Sequence, residues 1–162
     1  MPKKKKPAGA GAKSKRLIES VALVEIVSPA NKDRPKHVEE FTDKVLSALN
    51  VGVHVLLVDL FPPGTRDPDG LHGILLRQLE DSDERYELPG AEPLTLASYA
   101  AGPQVEIYLE HVAVGAALPE MPLFLRPDRY VNVPLEPAYV AAYRGLPAFW
   151  RAVLEGLSPP AA

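Results

Sequence analysis

Glu25 lies inside an apolar run, Val24-Glu25-Ile26-Val27, that leads directly into Ser28-Pro29-Ala30-Asn31-Lys32. A carboxylate in such a run is costly to bury unless it is paired, hydrogen-bonded or bound to a metal. Magnesium favours hard oxygen donors, commonly one or two carboxylates with retained waters, and a bound ion activates water against a phosphodiester. In that chemistry Glu25 is a metal ligand and Asp59, which closes a second apolar run, is the second ligand. Lys32 or Lys44 would then position the nucleophile. The same residues also make a purely structural set. Glu25 can be a buried carboxylate paired with Lys32, Lys44 or backbone donors, and Asp59 can cap the proline-rich turn that follows it.

Other chemistries find little support. The chain has no cysteine, which excludes disulfides, thiolate catalysis and cysteine-based zinc sites and is compatible with a reducing cytoplasm. Ser28 lacks the Gly-x-Ser-x-Gly surroundings of a hydrolase nucleophile. His54 and His111 fall within apolar runs and read as satisfied core histidines, while His37 and His72 have no partner at metal-ligand spacing. Gly9-Ala10-Gly11 follows no strand, so there is no phosphate-binding loop.

The elements that must position these residues follow from periodicity. Residues 17–27 form a near-continuous, β-branched-rich run that predicts a strand buried on both faces, ended by Pro29. Asp33 then offers an N-cap and Pro35 suits a first turn, ahead of Val38, Phe41, Val45, Ala48 and Leu49 on one helical face. Gly52 follows as a stop, and residues 53–60 predict a second buried strand, in parallel with the first after a crossover of suitable length. Asp69 can cap a second helix through Leu71, Ile74, Leu75 and Leu79.

Past Pro89 the texture changes. Residues 94–99 and 105–114 predict a hairpin, with a short helix over 94–101 as the alternative. Residues 123–125 and 130–133 read as short extended pieces around proline-rich turns, and a helical tail over 136–156 is broken near Gly145-Leu146-Pro147. Its apolar face, Tyr139, Tyr143, Phe149, Trp150 and Leu154, suits core packing or an oligomer contact better than base stacking.

Charge is unevenly placed. Residues 1–16 hold seven of the eighteen Lys and Arg and none of the twenty-one acids, so the remainder carries a formal charge of −10 against −3 for the whole chain. That segment reads as a disordered basic tail, followed by a single α/β domain over 17–157 and a disordered end over 158–162. Nucleic-acid binding, if any, is then expected through the tail alone, because an acidic body opposes a broad phosphate-binding face. No run approaches the ~18 apolar residues of a membrane span, and the expected setting is cytoplasmic.

The blocks Glu25-Ile26-Val27-Ser28-Pro29-Ala30-Asn31-Lys32, Gly52-Val53-His54-Val55-Leu56-Leu57-Val58-Asp59-Leu60 and Leu118-Pro119-Glu120-Met121-Pro122-Leu123-Phe124-Leu125 together resemble an uncharacterised bacterial family. That family, a domain of unknown function, is marked by Glu-Ile-x-Ser-Pro-x-Asn-Lys. The resemblance runs from about residue 21 to 154 and extends, more distantly, to the restriction-endonuclease-like superfamily. There one strand carries Glu-x-Lys, a preceding strand carries an Asp, and the carboxylates hold Mg²⁺.

The resemblance implies that Glu25 occupies the Glu position, that Val27 stands where the lysine is expected, and that Lys32 or Lys44 would have to replace it. It also implies an N-terminal truncation, because the preceding strands of the family give way here to the basic tail. Two functional classes follow. One is a non-catalytic or degenerate nuclease-like domain acting as an interaction module. The alternative is a Mg-dependent nuclease-like phosphodiester hydrolase completed by a partner chain, whether a second copy in a homo-oligomer or a chain supplying the missing N-terminal part.

Overall fold

The computed structural model describes residues 21–157. It is an α/β structure in the order β1 (Ala22–Ile26), α1 (Pro35–Asn50), β2 (His54–Asp59), α2 (Gly70–Glu80), β3 (Leu94–Ala100), β4 (Glu106–Val112), β5 (Met121–Arg126), β6 (Arg129–Val133), α3 (Leu135–Gly145) and α4 (Ala148–Leu154). The expected tail over 1–16, residues 17–20 of the first strand and the end over 158–162 lie outside the described residues. Among the described residues, no helix is long and apolar enough to cross a membrane.

Four strands form one sheet in the order β1-β2-β3-β4. β1 and β2 pair in parallel, as the intervening helix requires, and β2-β3 and β3-β4 are antiparallel. The β-α-β unit and the later hairpin therefore form as their periodicities predict, and residues 94–100 take the strand alternative, not the helical one. Both sides of β2 and β3 are covered. Val55, Leu57, Ala97 and Tyr99 pack with Val38, Phe41, Val45 and Leu49 of α1 and with Leu71 and Leu75 of α2. On the opposite face Leu56, Val58, Leu94 and Leu96 pack with Met121 of β5 and with Leu135. β5 and β6 form their own two-stranded sheet.

The strand expected to be buried on both faces is instead an edge strand. β1 hydrogen-bonds to β2 on one side only among the described residues, and Val24 and Ile26 remain 44% and 72% exposed. Its apolar run resembles that of a central strand, but among the described residues no strand pairs with its outer edge.

Two expected caps also differ. Arg34, not Asp33, occupies the N-cap position of α1, and the Asp33 carboxylate accepts a hydrogen bond from His37 Nδ1. Asp69 does sit at the N-cap of α2 but makes no side-chain capping bond. Its two oxygens go to Arg77 Nη1 at 2.8 Å and Arg85 Nε at 2.6 Å. The Arg85 hydrogen bond, opposed by partial burial and reinforced by Arg77, holds the Asp69 carboxyl below the usual aspartate range.

This clamp draws the segment after α2 back over the helix and places Tyr86 against Gly73. A Cβ at Gly73 would lie 2.8 Å from Asp69 Cβ and 3.1 Å from Tyr86 Cβ. Gly73→Ala is therefore expected to destabilise the protein by about 1–3 kcal/mol through overpacking, although alanine is the better helix former. Thermal unfolding of the variant would measure this, and a midpoint at or above that of the native chain would contradict it.

The C-terminal helices break where Gly145-Leu146-Pro147 predicts. They add little to the core, however: Leu135 is the buried residue of α3. α4 buries no residue, and Phe149 and Trp150 are each 48% exposed.

Candidate functional site

The chain leaves β1 through a tight polar turn. Asn31 Oδ1 accepts hydrogen bonds from the Ser28 backbone N–H at 2.8 Å and from Ser28 Oγ at 2.9 Å. Pro29 opens a single 3₁₀ turn over Pro29–Asn31, closed by Asn31 N–H and Lys32 N–H donating to the carbonyls of Ser28 and Pro29. Proline supplies the fixed φ of a first helical position, and asparagine satisfies the donors left open there. The turn thereby directs Lys32 back across the carboxyl end of β2.

Lys32 Nζ lies 2.7 Å from Asp59 Oδ2 and 2.9 Å from Asp67 Oδ2, and it donates to the Phe61 carbonyl at 2.7 Å. The three side chains are 9%, 4% and 1% exposed. The other carboxylate oxygens face inward to the loop: Asp59 Oδ1 accepts from Phe61 N–H at 3.2 Å and Asp67 Oδ1 from Gly64 N–H at 2.9 Å. Among the described residues Asp67 Oδ2 makes no aligned hydrogen bond, and the Lys32 ammonium holds it by charge. An ammonium has three protons, and three acceptors surround this one. Burial pushes the Asp59 carboxyl above the usual aspartate range, against the lowering effects of the Lys32 hydrogen bond and charge and of the Phe61 amide; the Asp67 charge adds to the rise.

Glu25 and Lys44 form a second, separate pair, with Oε2 and Nζ 2.8 Å apart. Glu25 is opposite Leu57 in the β1-β2 register, on the face covered by α1, and Lys44 reaches it from α1. The pair borders an open depression of about 440 Å³ that is also lined by Asn31, His37, Glu40 and Phe41.

The contacts thus divide the four sequence candidates into two ion pairs: Glu25 with Lys44, and Lys32 with Asp59. Asp59 also accepts from the Phe61 amide, the turn-capping role expected of it, while its pairing with Lys32 is not among the expectations, which give Lys32 to Glu25. Asp67, absent from the sequence candidates, completes the buried cluster. Its only sequence signal is an acid within a proline-rich loop, which marks a turn and names no distant partner.

A magnesium ion does not suit this donor set. The Asp59 and Glu25 carboxylates face ammonium groups at 2.7 and 2.8 Å. Among the described residues, no group of three or more His, Asp or Glu is placed to hold a metal.

The histidines fall into further structural roles. His54 Nδ1 accepts from the Ala101 N–H at 2.9 Å. His72 Nδ1 and Tyr99 Oη share a buried hydrogen bond at 2.7 Å, and Tyr86 Oη contacts His111 Nε2 beside them.

Comparison of the chain with protein-family models, curated proteins and solved structures finds no match.

Proposed function

We propose that this chain is a non-catalytic, degenerate nuclease-like domain that acts as an interaction module. The observation that carries this reading is the engagement of Lys32. A lysine that positions a nucleophile must present its ammonium to substrate, and this one is enclosed by two carboxylates and a carbonyl. Glu25, the position that the nuclease-like resemblance assigns to a metal, faces Lys44. On this reading the Ser-Pro-x-Asn-Lys motif is a staple that joins the end of β1 to the end of β2 and to the loop beyond it. The cysteine-free composition suits a reducing cytoplasm.

One observation favours the alternative, a Mg-dependent phosphodiester hydrolase completed by a second chain. The outer edge of β1, unpaired among the described residues, is where a strand carrying a further carboxylate would pair, next to Glu25. Calorimetric titration with Mg²⁺ and Mn²⁺, on the native chain and on Glu25→Gln, separates the two. We expect no binding heat from either protein and no cleavage of plasmid DNA. Binding by the native chain that is lost in Glu25→Gln would overturn the non-catalytic reading.

A further inference from the structure

The two edges of the four-stranded sheet are built differently. β4 carries Glu106 and Glu110 on one face with Tyr108 between them, which is the charged edge that discourages strand addition. β1, Ala22-Leu23-Val24-Glu25-Ile26, has one charge, and that charge is turned to the α1 face and matched by Lys44. The strand holds no lysine or proline, so nothing in it blunts pairing.

Its backbone polarity follows from the bonds to β2. Val21 C=O accepts from His54 N–H and Val27 N–H donates to Val58 C=O, so the odd-numbered residues direct their backbone groups to β2. Alternation along a strand then turns the N–H and C=O of Ala22, Val24 and Ile26 outward. The side chains of the same three residues share one face, since they stand opposite His54, Leu56 and Val58 in the register. β5 lies mainly over β2 and β3, which leaves Val24 and Ile26 exposed.

We infer that β1 pairs with β1 of a second copy of this chain, antiparallel about a two-fold axis through Val24. Among possible partners, a second copy fits because the edge is complementary to itself. Val24 meets Val24, and Ala22 meets Ile26 on both sides of the axis, so each of these opposed pairs is of the type that exchanges both hydrogen bonds. A large side chain faces a small one at each end, giving a continuous apolar stripe. On the other face Glu25 stands opposite Leu23 and no like charges meet. Pro29 lies past the paired segment, and the product is one continuous sheet across an isologous interface.

The inference rests on the interaction-module reading, to which it supplies the partner. The two fail separately: a monomer leaves the magnesium result standing, and magnesium binding by Glu25 leaves the oligomeric state as it is.

The test is the mass of the full chain by light scattering and sedimentation, with hydrogen exchange at Val24 and Ile26. The native chain is expected near twice its 17.6 kDa, with slow exchange at both amides. Ile26→Lys changes a residue that is already exposed, and Val24→Pro removes an outward N–H that β2 does not use. Both are expected to be monomers of unchanged circular dichroism, and Ile26→Lys to show fast exchange at Val24. If Val24→Pro fails to fold, Ile26→Lys decides alone. A native monomer overturns the inference, as does a dimer that survives Ile26→Lys. A monomer with protected β1 amides would overturn it too, by showing that the chain covers its own edge.

Discussion

Lys32→Met is expected to destabilise the protein by about 3–5 kcal/mol at about pH 7, the cost of removing one partner from a buried ion pair. Methionine keeps most of the stem volume, so the loss measures charge and not packing. Without the ammonium, Asp59 and Asp67 would remain buried with two negative charges and no cation, and Phe61 C=O would lose its donor. The loop between β2 and α2 should then open first, exposing the Gly64 and Phe61 amides to exchange.

The pH dependence has a definite sign. Burial already raises the Asp59 carboxyl above its unfolded value. A raised acid contributes stability that is complete below the unfolded pKa and is lost as pH rises through the folded one. Removing Lys32 takes away the main effect that opposes this rise, which pushes the folded value higher and widens the window. The variant's deficit should therefore shrink as pH falls toward the acid range and grow toward neutrality. Adding Asp67→Asn to Lys32→Met removes one of the two stranded charges and should recover part of the loss. Urea unfolding of the three proteins across pH would test this. A Lys32→Met penalty below about 1 kcal/mol, the size of an exposed pair, would show that the cluster is not the staple described.

Local pattern carried much of the fold and little of the site. The spacing of Val38, Phe41, Val45 and Leu49 specifies the buried face of α1, and the uninterrupted run to Asp59 specifies a central strand, because both signals are properties of the element itself. Whether a strand is central or at an edge is not such a property. The run ending in Val27 has a central strand's composition, yet Val24 and Ile26 are exposed, since exposure depends on which other strands pair with it.

The acids show the same limit. Spacing puts Asp69 at the N-cap of α2, where it lies, but Asp33 stands one residue ahead of the α1 N-cap, which Arg34 takes. Their carboxylates nonetheless went to His37 and to Arg77 and Arg85, which offer stronger charge-assisted partners than a backbone amide. The pairing alternatives for Glu25 included Lys44, while the match of Lys32 with Asp59 and Asp67 depends on a turn and a loop that meet only in the folded chain.

His72 should make the protein acid-sensitive by about 3 kcal/mol. Its ring is buried in α2, hydrogen-bonded to Tyr99 Oη and packed edge-on against Tyr86 with ring centroids 5.0 Å apart. Burial, with a smaller contribution from the charge of His111, pushes its pKa down from 6.5 to about 4. Tyr99, itself fully buried, is pushed far up and stays a phenol. A histidine whose folded pKa is depressed contributes stability that is complete above the unfolded value and is lost as pH falls toward the folded one, because the unfolded chain takes up the proton first. The window is therefore from 6.5 down to about 4, and a shift of that width corresponds to about 3 kcal/mol at 1.36 kcal/mol per pH unit.

His72→Gln cannot titrate. It should be less stable than the native chain at neutral pH by about 1–3 kcal/mol, the cost of a disturbed buried hydrogen bond. Toward pH 4 the native chain should lose this lead, so that the two unfolding free energies converge or cross. The carboxylates, common to both proteins, cancel in that difference. Urea unfolding at a series of pH values gives the comparison, and two parallel curves would mean that His72 takes up its proton as readily in the folded chain as in the unfolded one.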